Sequence, residues 1–292
     1  MSNITPRKLY KYQPFNLYSL VNLTRRELYF SKPENLNDPY DCDPPFEVTK
    51  ADRTQNNRKA FFDKVKAYEI GKSVTDGSLF DQIYLTGGKP NGRFEREYID
   101  NPKPIRAQIS EKVGVTCFSE RVDNLLLWSH YADKHHGFCL EFDTDTLLSN
   151  YPGTKLYKVE YPKSNKLIRF SILEILNDPN LLEKILKRKS FLWQYEQEWR
   201  LFCRTGGNEA FGYNPTAITN IYFGKNMAYK HKEAIISILS KPFEHTTASD
   251  KTIINTSCLN TQISGTKINV YDMELNRNIF KIQPIRFRPR TQ

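Results

Sequence analysis

The sequence predicts an α+β fold, a sheet of short strands with helices at its periphery. Three observations lead there. Apolar and polar residues alternate in many short runs, the two-residue period of a strand. Stretches with helical spacing concentrate at about residues 52–100 and 171–190. Residues 113–142 read as strand, short helix and strand around a bend crowded with polar groups. No repeat or interdomain linker interrupts the pattern, so residues 1–292 are expected to form a single domain carrying two helical insertions.

Composition supports a substantial interior. Hydrophobic residues make up 39% of the 292, with 18 Phe and 17 Tyr, which argues against a disordered polymer. No apolar run approaches the roughly 20 residues needed to cross a bilayer, and MSNITPRKLYKY lacks the apolar centre of a secretion signal. A cytoplasmic location with no membrane association is the expectation. Five scattered cysteines have neither zinc nor redox spacing, so Cys117, Cys139 and Cys203 read as small core residues. The net charge of +10 favours an anionic partner such as nucleic acid. It concentrates at Lys184, Lys187, Arg188 and Lys189 and again between Arg277 and Arg290; both groups suit a phosphate backbone or a soluble edge.

Taken in order, Leu9 to Tyr12 is a strand with Leu9 and Lys11 opposite Tyr10 and Tyr12. Asn16 to Arg26 is a helix turning Leu17, Leu20 and Val21 inward, and Leu28 to Ser31 is a strand that ends before Pro33. Asn37, Asp38 and Asp41 project oxygens from a proline-stiffened turn. Two carboxylates there can hold a divalent ion, but a self-bonded turn is the expected reading. Helices follow at 56–70 and 78–85. Gly71-Lys72-Ser73 lacks the upstream glycines of a phosphate loop.

In the central stretch, Val113 to Phe118 alternates as a strand, and Asp123 or Asn124 caps a helix over 125–131. Gly137 ends it in left-handed backbone, and Phe138 to Phe142 is the returning strand. The bend gathers Ser119, Trp128, His130, Tyr131, His135 and His136 at one end of the sheet, a place suited to a small-molecule site. The alternative makes Trp128 and Tyr131 core wedges and leaves the histidines in water.

Asp143 caps a short helix, 155–161 is a strand, and Ser171 with Glu174 forms a capping box. Pro179 restarts a helix with Leu181, Leu182, Ile185 and Leu186 inward. Phe191 to Arg204 then places Glu196, Glu198 and Arg200 on one strand face and Trp199, Leu201 and Cys203 on the other. Paired carboxylates can stabilise a developing cation or activate a hydroxyl, and Arg200 can grip a phosphate or orient a glutamate. Alternatively, Glu198 and Arg200 form a surface pair. A strand at 218–224, a helix at 229–239 capped by Asn226, and strands at 252–256, 267–271 and 278–284 complete the chain, the last two joined through DMELNR.

LYKY at 9–12, LYFSKPENLNDPYDC at 28–42, VTCFSERVDNLLLWSHYADKHHGFCLEFD at 115–143 and WQYEQEWRLF at 193–202 together resemble a bacterial family filed as domain of unknown function 2971. Some relatives look like components of defence against phage, which implies an antiviral effector. More distantly, the chain resembles ADP-ribosyltransferases. That likeness implies a mixed, mostly antiparallel split sheet around NAD as a consumed substrate. Tyr10 or Tyr12 would fill the early strand role, Ser31 or Tyr131 the middle one, and Glu196-Gln197-Glu198 the late Glu-x-Glu element. Glu198 would be the main catalytic group and Glu196 the activator of an acceptor, with Arg200 or His130 on the NAD phosphates or ribose. The sequence departs from that pattern in having Lys11 between tyrosines where His or Arg is usual, and in lacking the middle Ser-Thr-Ser. The ADP-ribosyl group would pass to nucleic acid, protein or, as in an NAD glycohydrolase, water. A protein partner or regulatory antitoxin would restrain it. Two rivals are a metal-dependent nuclease using Asp38, Asp41, Glu196 and Glu198, and a non-catalytic nucleic-acid-binding or sensing module.

Overall fold

The computed structural model describes residues 5–71, 76–101, 111, 113–152, 154–163, 168–204, 206–240 and 268–289. Alternation along Lys8–Gln13 makes β1, which lies near the middle of an eight-stranded sheet. The others are β2 (Gly114–Ser119), β3 (Phe138–Asp143), β4 (Leu156–Lys158), β5 (Glu198–Cys203), β6 (Ile218–Phe223), β7 (Asn269–Asn276) and β8 (Lys281–Arg286). Across the sheet they run β8-β7-β6-β3-β1-β2-β5-β4. Only β6 and β7 are parallel neighbours; the fold is α+β, with a mixed, mostly antiparallel sheet.

The sheet is split between β1 and β2. These strands share a single register pair, Tyr10 opposite Ser119. By contrast, six pairs join β1 to β3 and six join β5 to β2. Where β1 and β2 diverge, Lys11 reaches across and donates from Nζ to Thr116 Oγ1 (2.8 Å) and the Cys117 carbonyl (3.1 Å).

Among the described residues, the α-helices of five residues or more around the sheet are α1 (Leu17–Arg25), α2 (Gln55–Gly71), α3 (Gly77–Tyr84), α4 (Leu125–Tyr131), α5 (Thr144–Leu148), α6 (Ile172–Asn177), α7 (Leu181–Leu186) and α8 (Tyr229–Ser240). One sheet face packs Leu9, Phe118, Phe142, Trp199 and Leu201 with Leu23 of α1 and Ile235 of α8. The other face carries two separate apolar clusters. The expected insertions pack on each other in one, where Phe62 of α2, Phe80 of α3 and Ile185 of α7 meet Val115 of β2. Trp128, Cys139, Tyr222, Met273 and Ile282 form the other. Tyr10, Ser119 and Glu198 stand in the seam between them. Among the described residues, no helix is long and apolar enough to cross a membrane.

Local signals set the helix starts. Asn16 caps α1 in a reciprocal box with Ser19, Asn124 accepts from the Leu126 and Leu127 amides, and Ser171 and Glu174 cap α6. Other expectations differ from the structure. Leu17 is 71% exposed and Val21 36%, because α1 turns Leu20 and Leu23 inward instead. All of DMELNR but Arg277 lies inside β7, so the chain reverses later, at 277–280. Asn226 donates to the Lys134 carbonyl (3.3 Å) rather than capping α8. The strand expected at 252–256 falls outside the described residues.

Gly137 is needed for close approach, not for handedness. Left-handed backbone is taken by Asp133, Lys134 and His135, at φ 45°, 52° and 69°. A Cβ on Gly137 would stand 2.1 Å from the Gln13 carbonyl oxygen. Gly137→Ala is therefore expected to push the end of β1 away from the bend and cost about 1–3 kcal/mol, read as a lower urea midpoint. Gly212→Ala, which meets nothing within 4 Å, should move that midpoint by under about 0.5 kcal/mol equivalent.

Candidate active site

The late acidic element begins at a kink. A 3-10 turn over Phe191–Glu196 passes through Gln197 in left-handed backbone (φ 45°, ψ 53°) into β5. Glu196 therefore lies off the strand, and the expected single strand face holding both glutamates does not form. The kink nonetheless turns both toward Lys189, whose Nζ lies 2.6 Å from Glu196 Oε2 and 3.1 Å from Glu198 Oε2. Asp41 Oδ2 is the third carboxylate oxygen on that ammonium, at 3.1 Å.

Arg200 completes the cluster. Its Nε donates to Glu198 Oε1 (2.7 Å), and its Nη2 donates to Glu198 Oε2 (2.9 Å) and Asp41 Oδ1 (2.5 Å). Nη1 is taken by the Leu186 carbonyl at 2.8 Å. All five side chains are buried. The expected surface pair of Glu198 and Arg200 is thus an interior one, where each charge needs its partners because water cannot solvate it. Tyr131 Oη donates to Glu196 Oε1 (2.6 Å), and Ser119 Oγ donates to the Glu196 carbonyl (2.6 Å).

The two glutamates are driven apart in acidity. Burial works against ionisation of Glu198, but the charges of Arg200 and Lys189 outweigh it and hold the carboxyl down at about 2. Burial pushes Glu196 above the usual carboxylate value, and the adjacent Glu198 charge adds to this. Burial opposes the charge on Lys189 too, yet its three carboxylates keep it protonated.

A cavity of about 780 Å³ opens along the split. Tyr10, Tyr12, Ser31, Tyr131, Glu196 and Glu198 all line it, as do Ser119 and Lys189. Tyr10, Ser119 and Glu198 occupy one cross-strand row. The Ser31 main chain bridges Val115 in both directions (2.9 and 2.8 Å), and Tyr12 Oη donates to the Arg121 carbonyl (2.7 Å).

Two expected contacts lie elsewhere. Arg200 is 0% exposed and stands behind Glu198, outside the cavity lining, so it orients the glutamate and does not reach a phosphate. His130 is exposed among the rings of Tyr131, Trp193 and Tyr195, also outside the lining. Trp128 is the core wedge, donating from Nε1 to the Val122 carbonyl (2.7 Å).

Nothing local in the sequence marks the burial of Lys189 among three carboxylates or the place of Ser119 between Tyr10 and Glu198. Lys189 closes a basic run whose Lys184 and Lys187 pair with Asp178 and Glu183. The apolar Phe191-Leu192-Trp193 that follows gives no sign that the run ends inside, since Phe191 and Leu192 are themselves exposed. Asp38 stays out of the cluster and accepts from the Tyr40 amide (2.9 Å), so the four-acid set does not assemble. Among the described residues, no group of three or more His, Cys, Asp or Glu is placed to hold a metal ion.

Residues 127–201 match the family described as Protein of unknown function (DUF2971). No curated protein and no solved structure matches the chain. The matched span runs from α4 into β5 and contains Tyr131, Lys189, Glu196, Glu198 and Arg200. Tyr10, Ser31, Asp41 and Ser119, on the facing walls, lie before it.

Removing Lys189 leaves three buried carboxylates with one cation. Lys189→Met is expected to cost about 3–5 kcal/mol at pH 7, measured by urea denaturation. The depressed Glu198 value stabilises the folded state above the ordinary carboxylate value of 4.5, and this contribution is lost as pH falls through about 2. Wild-type stability should therefore drop between pH 5 and 2, and more shallowly in Lys189→Met.

Proposed function

We propose that the protein consumes NAD, cleaving the bond between nicotinamide and ribose and passing the ADP-ribosyl group to an acceptor. The observation that carries this reading is the row of Tyr10, Ser119 and Glu198 on three adjacent strands, at a cavity opened by the split of the sheet. It supplies the early aromatic, middle serine and late glutamate of the ADP-ribosyltransferase pattern. Ser119 takes the middle role, in place of Ser31 or Tyr131.

The chemistry follows from charge. Nicotinamide leaves with the bonding electron pair, and positive charge develops on the ribose ring. A carboxylate fixed in its ionised form stabilises that charge without having to lose a proton first. Glu198 meets that requirement through Arg200 and Lys189. Its two oxygens receive two bonds from Arg200 and one from Lys189. Glu196, with its raised value, accepts the proton of an incoming hydroxyl or water, and Tyr131 fixes its orientation. The net charge of +10 favours nucleic acid as acceptor. An activity that depletes NAD or marks nucleic acid suits an effector in antiviral defence, held in check by a protein partner.

The test is incubation with NAD and separate DNA, RNA and protein pools, following nicotinamide release and attachment of labelled ADP-ribose. Glu198→Gln should lower release by about 10²–10³-fold with an unchanged circular dichroism spectrum. Tyr131→Phe should lower transfer more than release, by about tenfold. Transfer should rise with pH above the usual carboxylate range, because Glu196 acts without its proton. Absence of nicotinamide release by the wild type with every pool sinks the proposal.

A further inference from the structure

Helix α1 sends a stripe of side chains into the cavity. Tyr18, Asn22 and Arg25 are spaced i, i+4 and i+7, so they share one helix face, and all three line the cavity. Leu20 and Leu23 hold another face against the core. Tyr18 is 80% exposed and Arg25 is exposed, which puts this stripe at the rim, whereas Glu198 is buried at the floor.

The lining contains three cations, and two are committed. Lys189 is bound by three carboxylates. Lys11 donates to Thr116 and Cys117, and burial lowers its affinity for a proton. Arg25 makes no hydrogen bond or ion pair with any described residue, and it is the lining cation left for an anionic ligand. Glu27 lines the same rim without pairing to it; an acceptor there suits ribose hydroxyls or an amino group, not phosphate. The volume of about 780 Å³ lies within the roughly 300–1,000 Å³ typical of pockets for sizeable small molecules.

We propose that the α1 rim is the subsite for the ADP half of the dinucleotide, with Arg25 on the pyrophosphate and Tyr18 stacked on adenine. This rests on the NAD reading above. With the nicotinamide ribose against Glu198 at the floor, the pyrophosphate lies next toward the opening, where the guanidinium forms paired charge-assisted bonds. Asn22 adds an amide donor between the two.

Isothermal titration calorimetry separates this subsite from the chemistry. Glu198→Gln protein is titrated with NAD, and wild type with ADP, which carries the pyrophosphate and adenine but no nicotinamide. Arg25→Ala, made in each background, should weaken both ligands by about 10–100-fold, and Tyr18→Ala by about tenfold. In turnover, Arg25→Ala should raise KM for NAD with kcat within about threefold. Arg25→Lys should recover part of the loss. If the wild type releases nicotinamide but both α1 variants bind ADP and NAD as it does, the subsite is wrong and the NAD reading survives. Arg25-dependent ADP binding without nicotinamide release keeps a nucleotide rim and defeats the catalytic reading. Binding of neither ligand defeats both.

Discussion

The interior of this protein is organised by three buried carboxylates and two buried cations that neutralise one another. Asp41 comes from a proline-rich turn, Lys189 from the end of a helical insertion, and Glu196, Glu198 and Arg200 from the kink and strand that follow. Withdrawing such charges from water costs several kcal/mol each, so the cluster is not an efficient source of stability compared with apolar packing. It does impose geometry. Arg200 and Lys189 fix Glu198 in one protonation state and one orientation, while Lys189 and Tyr131 fix Glu196. The insertion is thereby tied to β5, and an error in either displaces both.

The cavity depends on a second constraint, the accounting of main-chain hydrogen bonds where β1 leaves β2. Strands that separate expose donors and acceptors that must find other partners. On the β2 side, Ser31 supplies both an acceptor and a donor to Val115, and Lys11 caps the Cys117 carbonyl. These substitutes keep the gap open without leaving the edge of β2 unsatisfied. A lysine in the middle of β1, at odds with the ADP-ribosyltransferase pattern when read as a catalytic group, has a structural task as the strut across the split.

Much of the scaffold was legible because it depends on local chemistry. Asn124 before Leu125 and the Ser171–Glu174 box marked helix starts correctly, and alternation located β1, β2, β3 and β6. The candidate site was legible only in outline. Glu198, Glu196, Tyr131, Tyr10, Tyr12 and Ser31 share the cavity, yet nothing local marks Gln197 as left-handed, since glutamine has no preference for that region. Register is equally silent in sequence: Ser119 stands beside Tyr10 only because β1 and β2 touch at one pair before parting. Lys189 and Arg25 illustrate the same limit from opposite sides. Both belong to basic, unremarkable surroundings, and tertiary packing alone makes one a buried counter-ion and the other an unpaired cation at a cavity rim.

The row that includes Glu198 also contains a second buried glutamate, whose surroundings set it apart from Glu198. Tyr10 pairs across β3 with Glu141, which pairs in turn with Asn220 of β6, so both carboxylates belong to one polar line across the sheet. Glu141 accepts from Lys8 (2.8 Å), Thr219 (2.8 Å), Asn220 (2.7 Å) and Tyr222 (2.5 Å), and it does not line the cavity. Its lone pairs are filled by strong donors that a substrate would have to displace. Glu198, by contrast, lines the cavity. Glu141 stands opposite Tyr10 in the register of β1 and β3, and Tyr10 is a wall of the cavity. The same residue type on the same line is therefore closed in by its neighbours at Glu141 and brought to the cavity wall at Glu198.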